Sequence, residues 1–133
     1  MPWSMLLTMS LLFAPVQPAH IVSPFLAPAG PYAKGHRGTD FAAVRGVVVS
    51  PIAGTITFRG MVAGRPVVTV SSGSAIVELE PVLTLLPVGT RVTRGGRLGV
   101  VGVGGHCSHR CVHVGVRING AYRDGYSRPH LVP

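Results

Sequence analysis

Short valine-rich segments, broken by glycine or proline about every ten residues, constrain the fold of this chain more than any other feature. The chain has 18 Gly and 12 Pro among its 133 residues, and no apolar pattern of helical period continues over about ten residues. We therefore predict an all-β fold of sandwich or barrel type in one domain. The predicted strands are Val47–Val49, Gly54–Arg59, Val67–Val70, Ala75–Glu80 and Cys111–Ile118, with shorter ones at 21–22, 92 and 98–101.

The composition excludes some classes of protein and leaves others open. Hydrophobic residues make up 47% of the chain, which is enough for a packed core and argues against global disorder. The net charge is +8, with the basic residues spread along the chain. No helix-turn-helix, zinc-finger spacing or aromatic RNA platform accompanies this charge, so we predict no nucleic-acid partner. The excess charge indicates a solvated basic surface or, second, contact with an anionic wall polymer.

The N-terminal segment predicts export. Met5–Phe13 is apolar but shorter than the roughly 20 residues that a membrane-spanning helix needs. It suits the apolar part of a signal peptide, and Pro15, Pro18 and Ala19 follow it. We predict a signal peptide over residues 1–19, cleaved after Ala19, and a secreted or cell-wall-associated monomer over residues 20–133 with no membrane span. The alternative is a buried N-terminal segment.

Two short motifs carry residues with metal chemistry. His36 lies four residues before Asp40, and His113 follows Cys111 by two residues on a predicted strand. Imidazole and carboxylate are typical zinc ligands. Residues four apart on a straight strand are about 13 Å apart, so we expect Gly38 to supply a bend that lets His36 and Asp40 reach one ion. Alternate strand residues share a face, so Cys111 and His113 would point to one site.

Together the two motifs resemble those of the lysostaphin-like zinc metallopeptidases, which include the LytM-type cell-wall endopeptidases. That family has an H-x-x-x-D segment, here His36–Asp40, and an H-x-H segment, here Cys111–His113. Residues 88–99 also match the family's V-x-x-G-x-x-V-x-x-G-x-x-L/I-G hairpin, and Ser50–Ile56 is similar to its strand after the first ligand pair. The resemblance extends from Ile21 to about Asp124, with a core at about 32–120.

The resemblance implies a compact antiparallel β fold related to the barrel-sandwich hybrids. It also implies one zinc ion held by His36, Asp40 and His113, in an endopeptidase acting on peptidoglycan peptides. The alternative is a degenerate member that keeps zinc and binds wall peptides or regulates another hydrolase, and a structural zinc module is a third hypothesis.

Two departures from the family bear on catalysis. Cys111 replaces the first His of H-x-H, and residues 78–82 have no His where the family has a second catalytic one. We name His106 and Glu80 as candidate catalytic residues, although His106 and His109 could be ordinary exposed loop residues. Cys107 and Cys111 predict a disulfide in an exported chain. The alternative is a Cys111 thiolate that completes a closed zinc site.

Overall fold

The computed structural model describes residues 8–10, 12–27, 35–126 and 130–132. Over these ranges the chain forms strands and no helix, and so it contains no helix that could span a membrane. The strands are β1 Thr8–Ser10, β2 Ile21–Ser23, β3 Thr39–Ala42, β4 Val47–Val49, β5 Gly54–Val62, β6 Arg65–Ser72, β7 Ala75–Glu80, β8 Val82–Leu83, β9 Arg91–Val92, β10 Arg97–Val101, β11 Cys111–Ile118, β12 Ala121–Arg123 and β13 His130–Val132.

The strands form one large antiparallel sheet and two small ones. The large sheet has eight strands in the order β2-β3-β11-β7-β6-β5-β9, with β12 also paired to β11. A three-stranded sheet, β4-β10-β8, and a two-stranded sheet, β1-β13, complete the described fold. All of these pairs are antiparallel, which confirms the predicted all-β class. Strand β3 was not predicted, because Gly38 and the polar residues around it show no strand pattern. The segment becomes a strand through its backbone pairing with β2 and β11.

Alternation along β11 separates the core from the functional face. Val112, Val114 and Val116 are at most 2% exposed and belong to the core, so Cys111 and His113 point to the opposite face. On β3, Phe41 likewise enters the core while Asp40 faces the other way. The sheet therefore presents its polar ligand residues together on the face away from the core.

The strand register places three of these side chains in one row. His113 on β11 lies directly opposite Asp40 on β3 and opposite Glu80 on β7. Residues directly opposite in an antiparallel pair share a face, with Cβ atoms about 4.5–5.5 Å apart. The row Asp40–His113–Glu80 is thus fixed by backbone pairing, before any metal is considered.

The described part of the predicted signal peptide packs onto the domain. The Leu12 amide donates to the Gly125 carbonyl at 3.0 Å, and the Val49 amide donates to the Pro15 carbonyl at 2.8 Å. Val16 is 5% exposed and belongs to the core. Residues 1–7 and 11 of the predicted leader lie outside the described residues. Cleavage after Ala19 stays a prediction. The packing of residues 12–16 favours the alternative of a buried N-terminal segment.

Removing residues 1–19 should lower the free energy of unfolding, because it exposes the part of the core that Val16 covers and breaks the 12–15 backbone hydrogen bonds. Burial of one valine is worth about 1.5–3 kcal/mol, so we expect a loss of roughly 2 kcal/mol or more in urea denaturation. Gln17→Ala in the full chain is the control, since Gln17 is exposed. Equal stability of the two lengths would instead fit a leader that the mature fold does not need.

Candidate metal centre

Three histidines converge on one buried carboxylate. His36, His106, His113 and Asp40 each offer one ligand atom, and these atoms all lie within 4.8 Å of one another. From the Asp40 carboxylate, His113 Nδ1 lies at 2.6 Å, His106 Nε2 at 3.1 Å and His36 Nε2 at 3.3 Å. Tetrahedral zinc with bonds of about 2.0–2.1 Å separates its ligands by about 3.3 Å. The distances of His36 and His106 from Asp40 match that separation, whereas the shorter contact of His113 is a hydrogen bond that a bound ion would replace. We call these four residues the metal cluster.

The backbone orients His36 for metal binding. A two-way bridge with Leu26 holds the residue, with both N–O distances at 2.9 Å. His36 Nδ1 lies 2.8 Å from the Pro24 carbonyl, which can only accept, so Nδ1 carries the proton. In the neutral ring, Nε2 then has a lone pair, and this buried atom has no hydrogen-bond partner although it faces Asp40. Nε2 and the Asp40 carboxylate are then two electron-pair donors that face each other, and either a second proton on Nε2 or a metal ion between them satisfies both.

Asp40 is the negative centre of the metal cluster. Burial alone raises the pKa of Asp40, but the hydrogen bond with His113 and the nearby charges of His113, His36 and His106 outweigh it. The pKa of Asp40 is therefore lower than its usual value, and the group is a carboxylate anion at neutral pH. A carboxylate anion surrounded by imidazoles is the donor chemistry that zinc accepts.

Gly38 allows the ring of His113 to lie close to the backbone before β3. A Cβ on Gly38 would lie 2.5 Å from the ring atoms Cε1 and Nε2 of His113 and 2.5 Å from the Val114 carbonyl oxygen. The sequence predicted a bend at this position, and the structure adds a steric reason for glycine. The missing side chain leaves room for the ring of His113 beside the strand that carries Asp40.

Gly38→Ala should displace His113 and the β11 backbone together. Overpacking of this kind costs typically 1–3 kcal/mol, and we expect urea denaturation to show that loss and zinc affinity to fall with it. Gly115→Ala is a matched control on β11, because its added Cβ would meet nothing closer than the Arg37 carbonyl oxygen at 3.5 Å. Unchanged stability and zinc affinity in Gly38→Ala would contradict the steric argument.

His106 reaches the metal cluster from the loop between β10 and β11. Gly104 and Gly105 adopt φ of 124° and 69°, where a Cβ is disfavoured, and a Cβ on Gly104 would collide with the Gly64 carbonyl. This turn brings the loop against the β5–β6 hairpin and the ring over Asp40. The side chain of His106 is 49% exposed, against 13% for His113. It is therefore the solvent-facing member of the metal cluster.

A disulfide closes the same loop. Cys107 and Cys111 are bonded with a Cα–Cα distance of 4.6 Å, and both are buried. This is the predicted disulfide, and in this form Cys111 has no thiolate to offer a metal. Cys107 Sγ lies 3.5 Å from His106 Nε2, so the crosslink borders the metal cluster directly.

Glu80 lies in the row with His113 but outside the metal cluster. Its Oε2 is 3.2 Å from Arg65 Nε, and Glu80 is buried while Arg65 is half-buried. Of the two candidate catalytic residues, His106 therefore lies at the metal cluster, whereas Glu80 forms an ion pair with Arg65. Sequence analysis did not identify Arg65 as a site residue, because nothing near it in the chain indicates its partner 15 residues away.

Of the other histidines, His20 and His109 are exposed, and the side chain of His130 lies outside the described residues.

Comparisons of the sequence give relatives of the chain but no family. No model of a known protein family matches the chain. An uncharacterised protein of Mycobacterium tuberculosis is 32% identical over 116 residues, which are 84% of this chain and 47% of that protein. The chain thus spans about half the length of the curated relatives it matches.

Solved structures give the fold family. A zinc-containing peptidase from Vibrio cholerae superimposes with a TM-score of 0.74 at 18% identity, covering 94% of this chain and 41% of that one. A candidate M23 peptidase from Pseudomonas aeruginosa does so with a TM-score of 0.63 at 28% identity, covering 86% and 48%. The chain therefore has the antiparallel fold of the LytM-like M23 peptidases, with Cys-x-His at residues 111–113 where the resembling motif has His-x-His.

Proposed function

We propose that the chain is a zinc-dependent endopeptidase domain that acts on peptidoglycan peptides outside the cytoplasm, as a secreted or wall-associated monomer. The observation that carries the proposal is the buried Nε2 of His36, which faces the Asp40 carboxylate with its lone pair and has no hydrogen-bond partner. A metal ion between these two groups would satisfy both, as would a second proton on Nε2. The Vibrio cholerae peptidase of the same fold contains zinc, which supports that metal here.

The chain's own residues divide into ligands and proton carriers. His36 Nε2, the Asp40 carboxylate and His113 Nδ1 would hold the ion, three protein ligands being the number typical of a catalytic zinc. When bound, zinc would polarise the scissile carbonyl and lower the pKa of water. His36 Nδ1 is anchored on the Pro24 carbonyl and Asp40 is fixed by β-pairing, so both ligands are held before the ion binds.

His106 is the proposed general base. Its Nε2 lies at the cluster, its ring is half exposed, and a peptide approaching from solvent meets it before the buried ligands. From there it would take the proton of the attacking water and return it to the leaving amine. This role stands in for the family's first His of H-x-H, whose position holds Cys111. Glu80 is the second candidate, since its carboxylate is already engaged by Arg65.

One observation favours the alternative of a zinc-keeping member that binds wall peptides without cleaving them. His106 Nε2 lies 3.1 Å from the Asp40 carboxylate, nearer than His36 Nε2 at 3.3 Å, so it offers a fourth donor. Four protein donors around zinc make a closed site with no position for water. The choice between base and fourth ligand at His106 is therefore also the choice between hydrolase and binding module.

The test is release of peptides from purified sacculi by the zinc-loaded full chain, measured by mass spectrometry of the soluble fraction. We expect release that a chelator stops and that added zinc restores. His20→Ala is the control variant, because His20 is exposed and lies outside the metal cluster. Zinc-loaded protein that stays bound to sacculi but releases nothing would contradict the hydrolase and support the binding module.

A further inference from the structure

The disulfide and the metal cluster share a border at His106 and Asp40. Cys107 Sγ is 3.5 Å from His106 Nε2, and that nitrogen is 3.1 Å from Asp40 Oδ2. Ligand atoms of Asp40, His106, Cys107 and Cys111 all lie within 4.8 Å of one another. We propose that reduction of the Cys107–Cys111 disulfide creates a second zinc site from these four residues.

The chemistry of the step balances with a dithiol as reductant. The S–S bond takes up two electrons and two protons and becomes two thiols, while the dithiol loses the same and becomes a disulfide. Each thiol then gives up its proton to solvent as its sulfur binds the metal. Thiolate sulfur is a preferred zinc ligand, and two thiolates, one imidazole and one carboxylate complete a tetrahedron.

The loop geometry permits this set without unfolding the sheet. Cys111 begins β11 and is held by its pairing with Ala42, while Cys107 lies in the turn that precedes it. The sulfurs of a zinc site are about 3.7 Å apart for bonds of about 2.3 Å. With Cα atoms at 4.6 Å, rotation of the two side chains can supply that separation. Asp40 stays on β3 and His106 stays in the loop.

The two sites exclude one another. Asp40 and His106 belong to both groups of donors, so one ion occupies either the His36–Asp40–His113 site or the thiolate site. Occupation of the thiolate site leaves His36 and His113 without metal and removes His106 from any role as a base. The thiol state of the loop would then select between an open and a closed zinc site. This inference stands whether or not the oxidised protein cleaves peptides.

Cobalt(II) is the probe, because it replaces zinc and its thiolate complexes show a charge-transfer absorption in the near ultraviolet. The full chain is prepared oxidised and, after treatment with a dithiol that is then removed without air, reduced. We expect one equivalent of cobalt in both forms and charge-transfer absorption in the reduced form alone. His113→Ala should lose cobalt when oxidised and keep it when reduced, since His113 belongs to the first site only.

Two further variants make the proposal falsifiable if reduction loosens the fold. In the His113→Ala background, which removes the first site, His106→Ala should weaken cobalt binding by the reduced chain at least tenfold, whereas His109→Asn, in the same loop but outside both donor groups, should not. An unfolded chain that binds cobalt through its cysteines alone would treat these variants alike, and that result overturns the proposal. A reduced chain that binds cobalt without charge-transfer absorption overturns it too. Neither outcome touches the sacculus assay, which uses the oxidised protein.

Discussion

His113→Ala should lower the zinc affinity of the oxidised protein more than 100-fold and leave it without stoichiometric metal after dialysis. Removing an outer partner of a zinc ligand already costs typically 10–100-fold, and His113 is a proposed ligand itself, with Nδ1 2.6 Å from Asp40. His36→Ala should behave in the same way. Zinc per chain, measured by inductively coupled plasma mass spectrometry, checks both variants, and His20→Ala is the control.

The donor at His106 sharpens this experiment. If His113→Ala keeps one zinc per chain but the double variant with His106→Ala loses it, His106 is a ligand and the three-residue assignment is wrong. The double variant therefore separates a site with one dispensable donor from a site in which His36, Asp40 and His113 are all required. Retention of zinc in His113→Ala and in the double variant would overturn the assignment of the metal cluster as the zinc site.

Much of the fold could be predicted because its signals are local. Alternation in 54–59 and 75–80 and the valines of β11 indicate strands wherever one face is buried, and the structure places strands there. Strand β3 has no such signal in its own four residues: its place depends on pairing with β2 and β11, which are distant in sequence. The hydrogen bonds of residues 12–15 also join segments that are distant in sequence, so no local pattern predicted them.

In the metal cluster, too, some residues could be predicted from the sequence and others depend on long-range contacts. His36, Asp40 and His113 were predicted from the resemblance of two motifs to those of the lysostaphin-like metallopeptidases. The structure brings them together because β3 and β11 pair in a register that opposes Asp40 to His113. The approach of His106 depends on two positive-φ glycines and on contact with the hairpin at Arg65, which no local pattern encodes. The engagement of Glu80 by Arg65 depends on how that hairpin folds back over β7.

Replacing His106 should separate chemistry from metal binding. His106→Ala removes the half-exposed imidazole above Asp40 but leaves His36, Asp40 and His113 in place. Loss of a positioned general base typically costs 10²–10⁴ in rate, so we expect kcat for a soluble wall peptide to fall by that factor. KM should change little, because the interaction is made in the transition state, and zinc per chain should stay at one.

The control for this variant comes from the same loop. His109 is exposed and has a φ of 63°, a conformation that asparagine tolerates, so His109→Asn changes an imidazole without straining the loop. Glu80→Gln tests the second candidate, since the amide keeps the shape of the side chain beside Arg65 while losing its basicity. A large fall in kcat with zinc retained in Glu80→Gln, and none in His106→Ala, would transfer the proton-carrying role to Glu80. In that case the ion pair with Arg65 would have to open during turnover, and Arg65→Ala should then raise the activity that Glu80→Gln abolishes.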